Sequence, residues 1–560
     1  MRRLIPVLFV LLPAAFACAQ TVQPRVGDPL PGLTPEQRAL FFDGRIAFGS
    51  LFEDFEGLGP AFNGASCSAC HNVPLTGGSS IQIVDRVGAI LPDGTYSDIV
   101  EFGGPVLQNT GIQKGCYETY PTQATAFTVR RTPALFGLGL IEAIDDQTIL
   151  AFEAAQSGGI SGRANRAQAL EDGPNGPIRV GRFSFKAAVP SVLQFSADAA
   201  INEMGMTNRL FPNETAPNGN LEQLEMCDLV PDPEDIEDAN GRGFIDRITD
   251  YQRYLAAPPQ TPRSGMEGEA LFVEVGCASC HIPSYTTSNN PALEDALRGV
   301  TIKPYSDFLV HDMGDTGEFQ IEQGLAVGGE MRTTPLWGLR WNVNLWHDGR
   351  VGGNSLGELI LDPVFGAVEM HAAPGSEARP SALLFQAMPE VLQLEVVRFL
   401  DSLGRREFDA NDSNTITIAD LNNMAGCFTG PGVFYTADDP CAIHDLDQDG
   451  DVDLDDLAGF VLVLSSAQPD CDNDGTGNLD AILAGAIDIN LDLIPDSCQI
   501  LAPCPGDCDD SGTVDFNDLI CILFEFGNPP GPGSSPTNCD NSTEIDFNDL
   551  ICALFNFGAC

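Results

Sequence analysis

The sequence predicts a mainly α fold in which two tandem halves of one design precede a set of small helix-loop repeats. Three observations carry that expectation. The motif Cys-x-x-Cys-His occurs twice, at Cys67 to His71 and at Cys277 to His281, and similar segments follow each copy in the same order. Between these marks, apolar residues recur at helical spacing more often than they alternate. From Arg405 to the end the chain carries 30 Asp and Glu against two Arg, much of it in loops with acidic residues at every second position.

The halves are expected over residues 20–260 and 261–404. In the first, Arg131-Thr132-Pro133-Ala134-Leu135-Phe136-Gly137-Leu138 follows the motif; in the second, Arg332-Thr333-Thr334-Pro335-Leu336-Trp337-Gly338-Leu339 answers it. Glu203-Met204 is answered by Glu369-Met370, so the order of marks points to a duplicated domain. Pro389 to Leu403 places Val391, Leu392, Leu394, Val397, Leu400 and Leu403 largely on one face, as an amphipathic helix closing the second half.

Ahead of these halves, Met1-Arg2-Arg3, the apolar run Leu4 to Ala17 and the small-x-small site Ala17-Cys18-Ala19 read as a secretory signal over residues 1–19. Lipidation of Cys18 is the alternative, against which Phe16 stands where a small residue is wanted. No later apolar run reaches the roughly 18 to 20 residues that span a bilayer, so a soluble protein of the periplasm, the cell surface or the exterior is expected. The chain has 17 cysteines; setting aside Cys18 and the four of the motifs leaves twelve, an even number suited to pairing in an oxidising compartment. Cys116 and Cys227 lie in the first half and the other ten between Cys427 and Cys560, with connectivity not readable from spacing. A net charge of -51 argues against nucleic acid or an anionic membrane as partner.

The tail divides into 405–465, 466–503 and 504–560. Asp445, Asp447, Asp449, Asp453 and Asp456 occupy positions 1, 3, 5, 9 and 12 of a loop with Gly450 at position 6, a spacing that wraps calcium in oxygen donors. Asp507, Asp509, Ser511, Asp515 and Asp518 repeat it, and Asn538, Asp540, Ser542, Asp546 and Asp549 repeat the donors again. Asp409, Asn411, Ser413, Thr417 and Asp420 form a weaker first copy. These loops resemble dockerin repeats, which implies a protein or cell-surface partner, and Asp470 to Cys498 resembles a thrombospondin type 3 calcium repeat.

The paired motifs carry the chemistry. Two thiols one helical turn apart reach the vinyl groups of a porphyrin, and the next residue delivers an imidazole to iron, so two covalently bound haem c groups are expected at Cys67, Cys70, His71 and at Cys277, Cys280, His281. A zinc site would need further Cys or His nearby, and the flanks of both motifs offer none. Six histidines occur in all: His71, His281, His311, His347, His371 and His444. None lies between the two motifs, so a histidine opposite His71 would have to come from the other half; otherwise the sixth position of the first haem is taken by Met, Tyr, water or nothing.

From about Gly27 to Leu403 the chain resembles the di-haem oxidoreductase family, related to bacterial di-haem cytochrome c peroxidases. The resemblance rests on GLGPAFNGASCSACHNVP (57 to 74), RRTPALFGLGLIEAI (130 to 144), GRFSFKAAVPSVLQFSADAAINEMGMT (181 to 207), GCASCHIP (276 to 283), PYSDFLVHDMG (304 to 314) and RTTPLWGLRWNVNLWHDGR (332 to 350). It implies two cytochrome c-like domains, with peroxide reacting at the first haem beneath a Gln and a Glu, here Gln194 and Glu203. It also implies a sixth iron ligand on the second haem after His347-Asp348-Gly349-Arg350, where Met370 and His371 stand side by side; His311 and Met313 are a further choice. The tryptophan relay of several relatives has no first-half counterpart, since Trp337, Trp341 and Trp346 all fall in the second. The expected function is peroxide reduction, or a related oxidation, fed by a periplasmic electron donor protein. The rivals are a non-enzymatic electron carrier and a surface-anchored scaffold protein.

Overall fold

The computed structural model describes residues 22–466 except 174, 229, 315–320, 343 and 353–360, together with 513–514, 522 and 558–559. The signal segment 1–19, the thrombospondin-like segment and the donors of the 507–518 and 538–549 loops lie outside the described residues. Two units are distinguished, one up to Gly459 and one from Phe460 onward. In the second, Thr513–Val514 pairs antiparallel with Gly558–Ala559.

The first unit is helix-rich, and each half is organised by a helix ahead of its motif lying against a helix near its end. In the first half, Thr34 and Gln37 form a reciprocal capping box, Pro35 sits at the first helical position, and Pro35–Gly49 follows. Its buried face, Phe41, Gly44, Ala47 and Phe48, recurs at three- and four-residue intervals and meets the Phe244–Tyr254 helix. Phe41 and Phe48 pack on Tyr251 with ring centroids 5.2 and 5.1 Å apart. A side chain at Gly44 would stand 2.1 Å from the Arg247 carbonyl, so the close crossing requires glycine there.

The second half repeats the arrangement with Glu267–Glu274 against Glu390–Ser402, the terminal helix expected from the sequence. Phe272 packs on Phe399 at 5.4 Å. Each first helix also brings a phenylalanine to its motif histidine, Phe48 to His71 at 6.0 Å and Phe272 to His281 at 6.1 Å. The repeated segments turn on corresponding glycines: Gly137 (φ 73, ψ 15) and Gly338 (φ 70, ψ 14) are left-handed and each opens a short helix.

Small antiparallel sheets join the helices. Ile83–Ile90 pairs with Ala126–Arg131 and with Tyr96–Ser97, and several two-stranded ribbons accompany them. A mainly α expectation did not include these, because strands of two to eight residues are too short to leave a clear alternation. Cys116 is bonded to Cys227 and Cys427 to Cys441. No helix among the described residues is long and apolar enough to cross a membrane.

Residues 405–459 belong to the same unit as the two halves, across the boundary expected near 404. Glu407 accepts from Gln23 and from Arg263, and Asn414 bonds both the N–H and the carbonyl of Val26. Asp412 lies 2.9 Å from the guanidinium of the buried Arg340. Composition marks where the charge changes, and two of the acids beyond that point, Glu407 and Asp412, find cationic partners in Arg263 and Arg340 of the second half.

Candidate active site

A cavity lies at each motif. The first, about 270 Å³, is bordered by Cys67, Cys70 and His71; the second, about 230 Å³, by Cys277, Cys280 and His281. Among the described residues these four cysteines stand outside disulfides, as attachment to a porphyrin requires. The Ser66 side chain caps the short Cys67–Cys70 helix, and His71 follows at its end. His71 Nδ1 lies 3.1 Å from the Gly78 carbonyl and His281 Nδ1 2.9 Å from that of Tyr305. An Nδ1–H donated to a carbonyl leaves Nε2 as the free lone pair. Burial lowers both imidazoles to about 4, which keeps them neutral, the form that ligates metal. Thiols, imidazole and an adjoining largely apolar cavity fit haem c in both places.

The cavities differ in what else borders them. His371, in the last turn of Leu361–His371, reaches the second cavity with its Nδ1 2.7 Å from Ala367 O. Its ring centre is 6.5 Å from that of His281, a separation suited to one metal ion with imidazole-nitrogen bonds of about 2 Å on each side. Met370 packs into the apolar core of the second half and does not border the cavity. His311 does border it, but its Nε2 lies 2.9 Å from Asp307 and its Nδ1 2.9 Å from Glu377, so both nitrogens are engaged by carboxylates. Met313, His347 and Trp346 also line this cavity.

Around the first cavity His71 is the one histidine among the lining residues. The Val192–Met204 helix, capped by the Ser191 side chain and closed by Gly205 in the left-handed region, supplies Asp198, Asn202, Glu203 and Met204. Asn63 Nδ2 donates to Glu203 Oε2 at 2.9 Å. Burial first, and the nearby Asp198 carboxyl after it, push Glu203 up to about 7 against the hydrogen bond from Asn63. Burial likewise raises Asp198 to about 6. Gln194 is on the same helix but does not line the cavity; its Oε1 accepts the Leu170 N–H at 3.0 Å. Asp198 and Asn63 escaped the sequence reading, although Asp198 stands five residues before Glu203 and Asn63 lies in the stretch ahead of Cys67. Trp337 reaches the first cavity from the second half, whereas Trp341 is buried away from both with its indole N–H on Gly404 O.

In the tail, oxygens of Asp445, Asp447 and Asp456 converge within 4.8 Å of one another, as do those of Asp451, Asp453 and Asp456; Asp449 is in neither group. Burial and then the Asp456 and Asp447 charges raise Asp445 to about 6, relieved in part by the Gly450 N–H. The Asp409 to Asp420 loop is closed instead by its own backbone, which donates to both of those carboxylates.

The family described as "Di-haem oxidoreductase, putative peroxidase" matches residues 118–403, just over half of the chain. The match takes in the second motif, Glu203 and His371, and begins after the first motif. No curated protein sequence matches the chain. Similar solved structures include a MauG-like protein associated with microbial copper homeostasis, at 14% identity over 71% of this chain and 95% of that one, TM-score 0.30. Another is the hydrazine synthase of Kuenenia stuttgartiensis, at 13% identity over 72% of this chain and 100% of that one, TM-score 0.27.

Proposed function

The chain belongs to the di-haem oxidoreductase family, and from that membership we propose that it reduces peroxide at the first cavity with electrons relayed through the second. The observation that carries the proposal is the asymmetry of the two sites. Two neutral imidazoles, His281 and His371, border the second with ring centres 6.5 Å apart, and both would hold the iron of a haem bound there, which suits an electron relay. In the first, His71 faces a pocket bordered by Asp198 and Glu203, which suits a site open to a small oxidant.

Haem bound at each motif supplies the redox equivalents. The protein's part at the first site is to move a proton. With Asn63 fixing Oε2, the Glu203 carboxyl near 7 can take a proton from one peroxide oxygen at neutral pH and return it to the leaving oxygen. Asp198, held at Oδ1 by Asn202 at 3.1 Å, adds negative charge that keeps Glu203 basic enough to accept it. In the same proposal the protein is exported by residues 1–19 to the periplasm or the cell exterior and receives electrons from a donor protein there. The Asp445 to Asp456 loop and the later repeats bind calcium, and the repeats beyond 504 engage a protein or cell-surface partner.

The absorption spectrum of the oxidised and half-reduced protein tests the enzyme against the electron carrier. High-spin bands that shift on adding peroxide or cyanide are expected. Their absence at every redox level identifies a carrier with both irons six-coordinate.

A further inference from the structure

The two cavities share a wall: Arg131, Phe185, Arg332, Thr334, Pro335 and Asn342 border both. The two arginines occupy corresponding places in the duplicated halves. Arg131 ends the strand Ala126–Arg131 and leads into Thr132-Pro133; Arg332 ends Glu330–Arg332 and leads into Thr333-Thr334-Pro335.

Each is pinned to the opposite half in the same way. Arg131 N donates to His347 O at 3.0 Å and its Nε to the preceding carbonyl, Trp346 O, at 2.9 Å. Arg332 N donates to Phe185 O at 2.9 Å and its Nε to the preceding carbonyl, Ser184 O, at 2.8 Å. The remaining acceptors of Arg131 are Thr132 O and Asn342 Oδ1, both at 3.3 Å. All of these acceptors are neutral.

Among the described residues no carboxylate is paired with either guanidinium, whereas the buried Arg182 has Asp146 and the buried Arg340 has Asp412. Burial lowers Arg131 and Arg332 only to about 10, so both stay charged at neutral pH. A buried cation without a counter-charge is expensive, and a guanidinium presents five N–H donors in a fork that matches a carboxylate. The wall is therefore built to receive anions from the cavities on its two sides.

We propose that Arg131 and Arg332 bind the carboxylate side chains of the porphyrins, and that because both arginines border both cavities they act as a shared counter-charge for the two haems. The inference rests on the reading of both cavities as haem sites. Its consequence is electrostatic coupling: a positive charge beside a redox centre favours the reduced state, so removing either arginine lowers both reduction potentials.

The test is an optical redox titration of the full-length haem-loaded protein and of its Arg131→Gln, Arg332→Gln, Arg131→Lys and Arg332→Lys variants, with haem counted as pyridine haemochrome. Each Gln variant is expected to keep two haems and to show, at the original midpoint of each haem, an oxidised-to-reduced ratio raised about tenfold, which is 59 mV for a one-electron couple. The Lys variants should fall between. A Gln variant whose potentials stay in place, or move for one haem only, overturns the shared counter-charge. Should the Gln variants fail to load haem, the Lys variants decide: the propionate bending mode of both haems in the resonance Raman spectrum should move as the guanidinium fork is lost, and an unmoved mode overturns the inference. Fewer than two haems in the unsubstituted protein overturns the underlying reading and this inference together, whereas two haems with unmoved potentials overturns this inference alone.

Discussion

Replacing Glu203 by Gln separates two roles of one buried carboxyl. The amide has nearly the same shape and keeps an oxygen for Asn63 Nδ2, so packing is preserved while the exchangeable proton is lost. If Glu203 shuttles the peroxide proton, turnover should fall by about 10² to 10⁴, the usual worth of a general acid-base group. The same substitution has a stability signature. The carboxyl stands at about 7 in the folded protein against an ordinary 4.5, so the folded state holds a proton that the unfolded chain releases between those values. The native protein therefore loses stability as pH rises from 4.5 through 7, and the loss is complete above 7. At about 1.4 kcal/mol per pH unit, the gap amounts to ~3 kcal/mol. Glu203→Gln does not ionise and escapes that loss. The difference in stability, variant minus native, should be flat below pH 4.5, rise through neutrality and level off near ~3 kcal/mol in favour of the variant. Denaturant melts of the haem-loaded protein at several pH values, paired with peroxide kinetics, give both readouts. A pH-independent difference would show that the carboxyl is not desolvated, and an unchanged peroxide rate would remove Glu203 from the reaction.

Four further outcomes follow from the same geometry. The pyridine haemochrome assay should give two haems per chain, and one after Cys277 and Cys280 are both changed to Ala; zinc in place of haem would end the reading. His371→Ala should turn the low-spin bands of the second haem high-spin while Met370→Leu leaves them alone, and the opposite pattern would make Met370 the ligand. Asp412→Ala leaves the buried Arg340, among the described residues, with Asp401 at 3.9 Å, so stability measured by circular dichroism should fall by about 3 kcal/mol, and no change would show that residues 405–459 are not held by this pair. Calcium should raise the melting temperature of the full chain relative to chelated protein, with apparent affinity increasing as pH rises through about 6, where Asp445 loses its proton; identical melts would reduce the tail to an acidic spacer.

The sequence by itself marked both Cys-x-x-Cys-His motifs, the repeated segments that follow them, the terminal amphipathic helix and Glu203 as a candidate, because each is a local pattern: a fixed spacing, a repeated string or a periodic face. A Cys-x-x-Cys-His segment brings two thiols for attachment and one imidazole for ligation together within one turn, and no distant residue is needed to recognise it. What surrounds those side chains depends on which distant segments fold against them. Adjacent in sequence, Met370 and His371 could not be told apart until the Leu361–His371 helix was placed with one residue toward the core and the other toward the second cavity. Gln194 shares a helix with Glu203, yet its side chain turns to Leu170, a choice made by rotation about the helix axis. Arg131 and Arg332 were visible as repeated letters, but that each crosses to the other half and that both face both cavities is a property of the packed interface. Charge composition marked the tail as acidic, while only tertiary contact showed Glu407, Asp412 and Asn414 fastened to the halves before it, since an ion pair is fixed by distance in space and leaves no mark on sequence spacing.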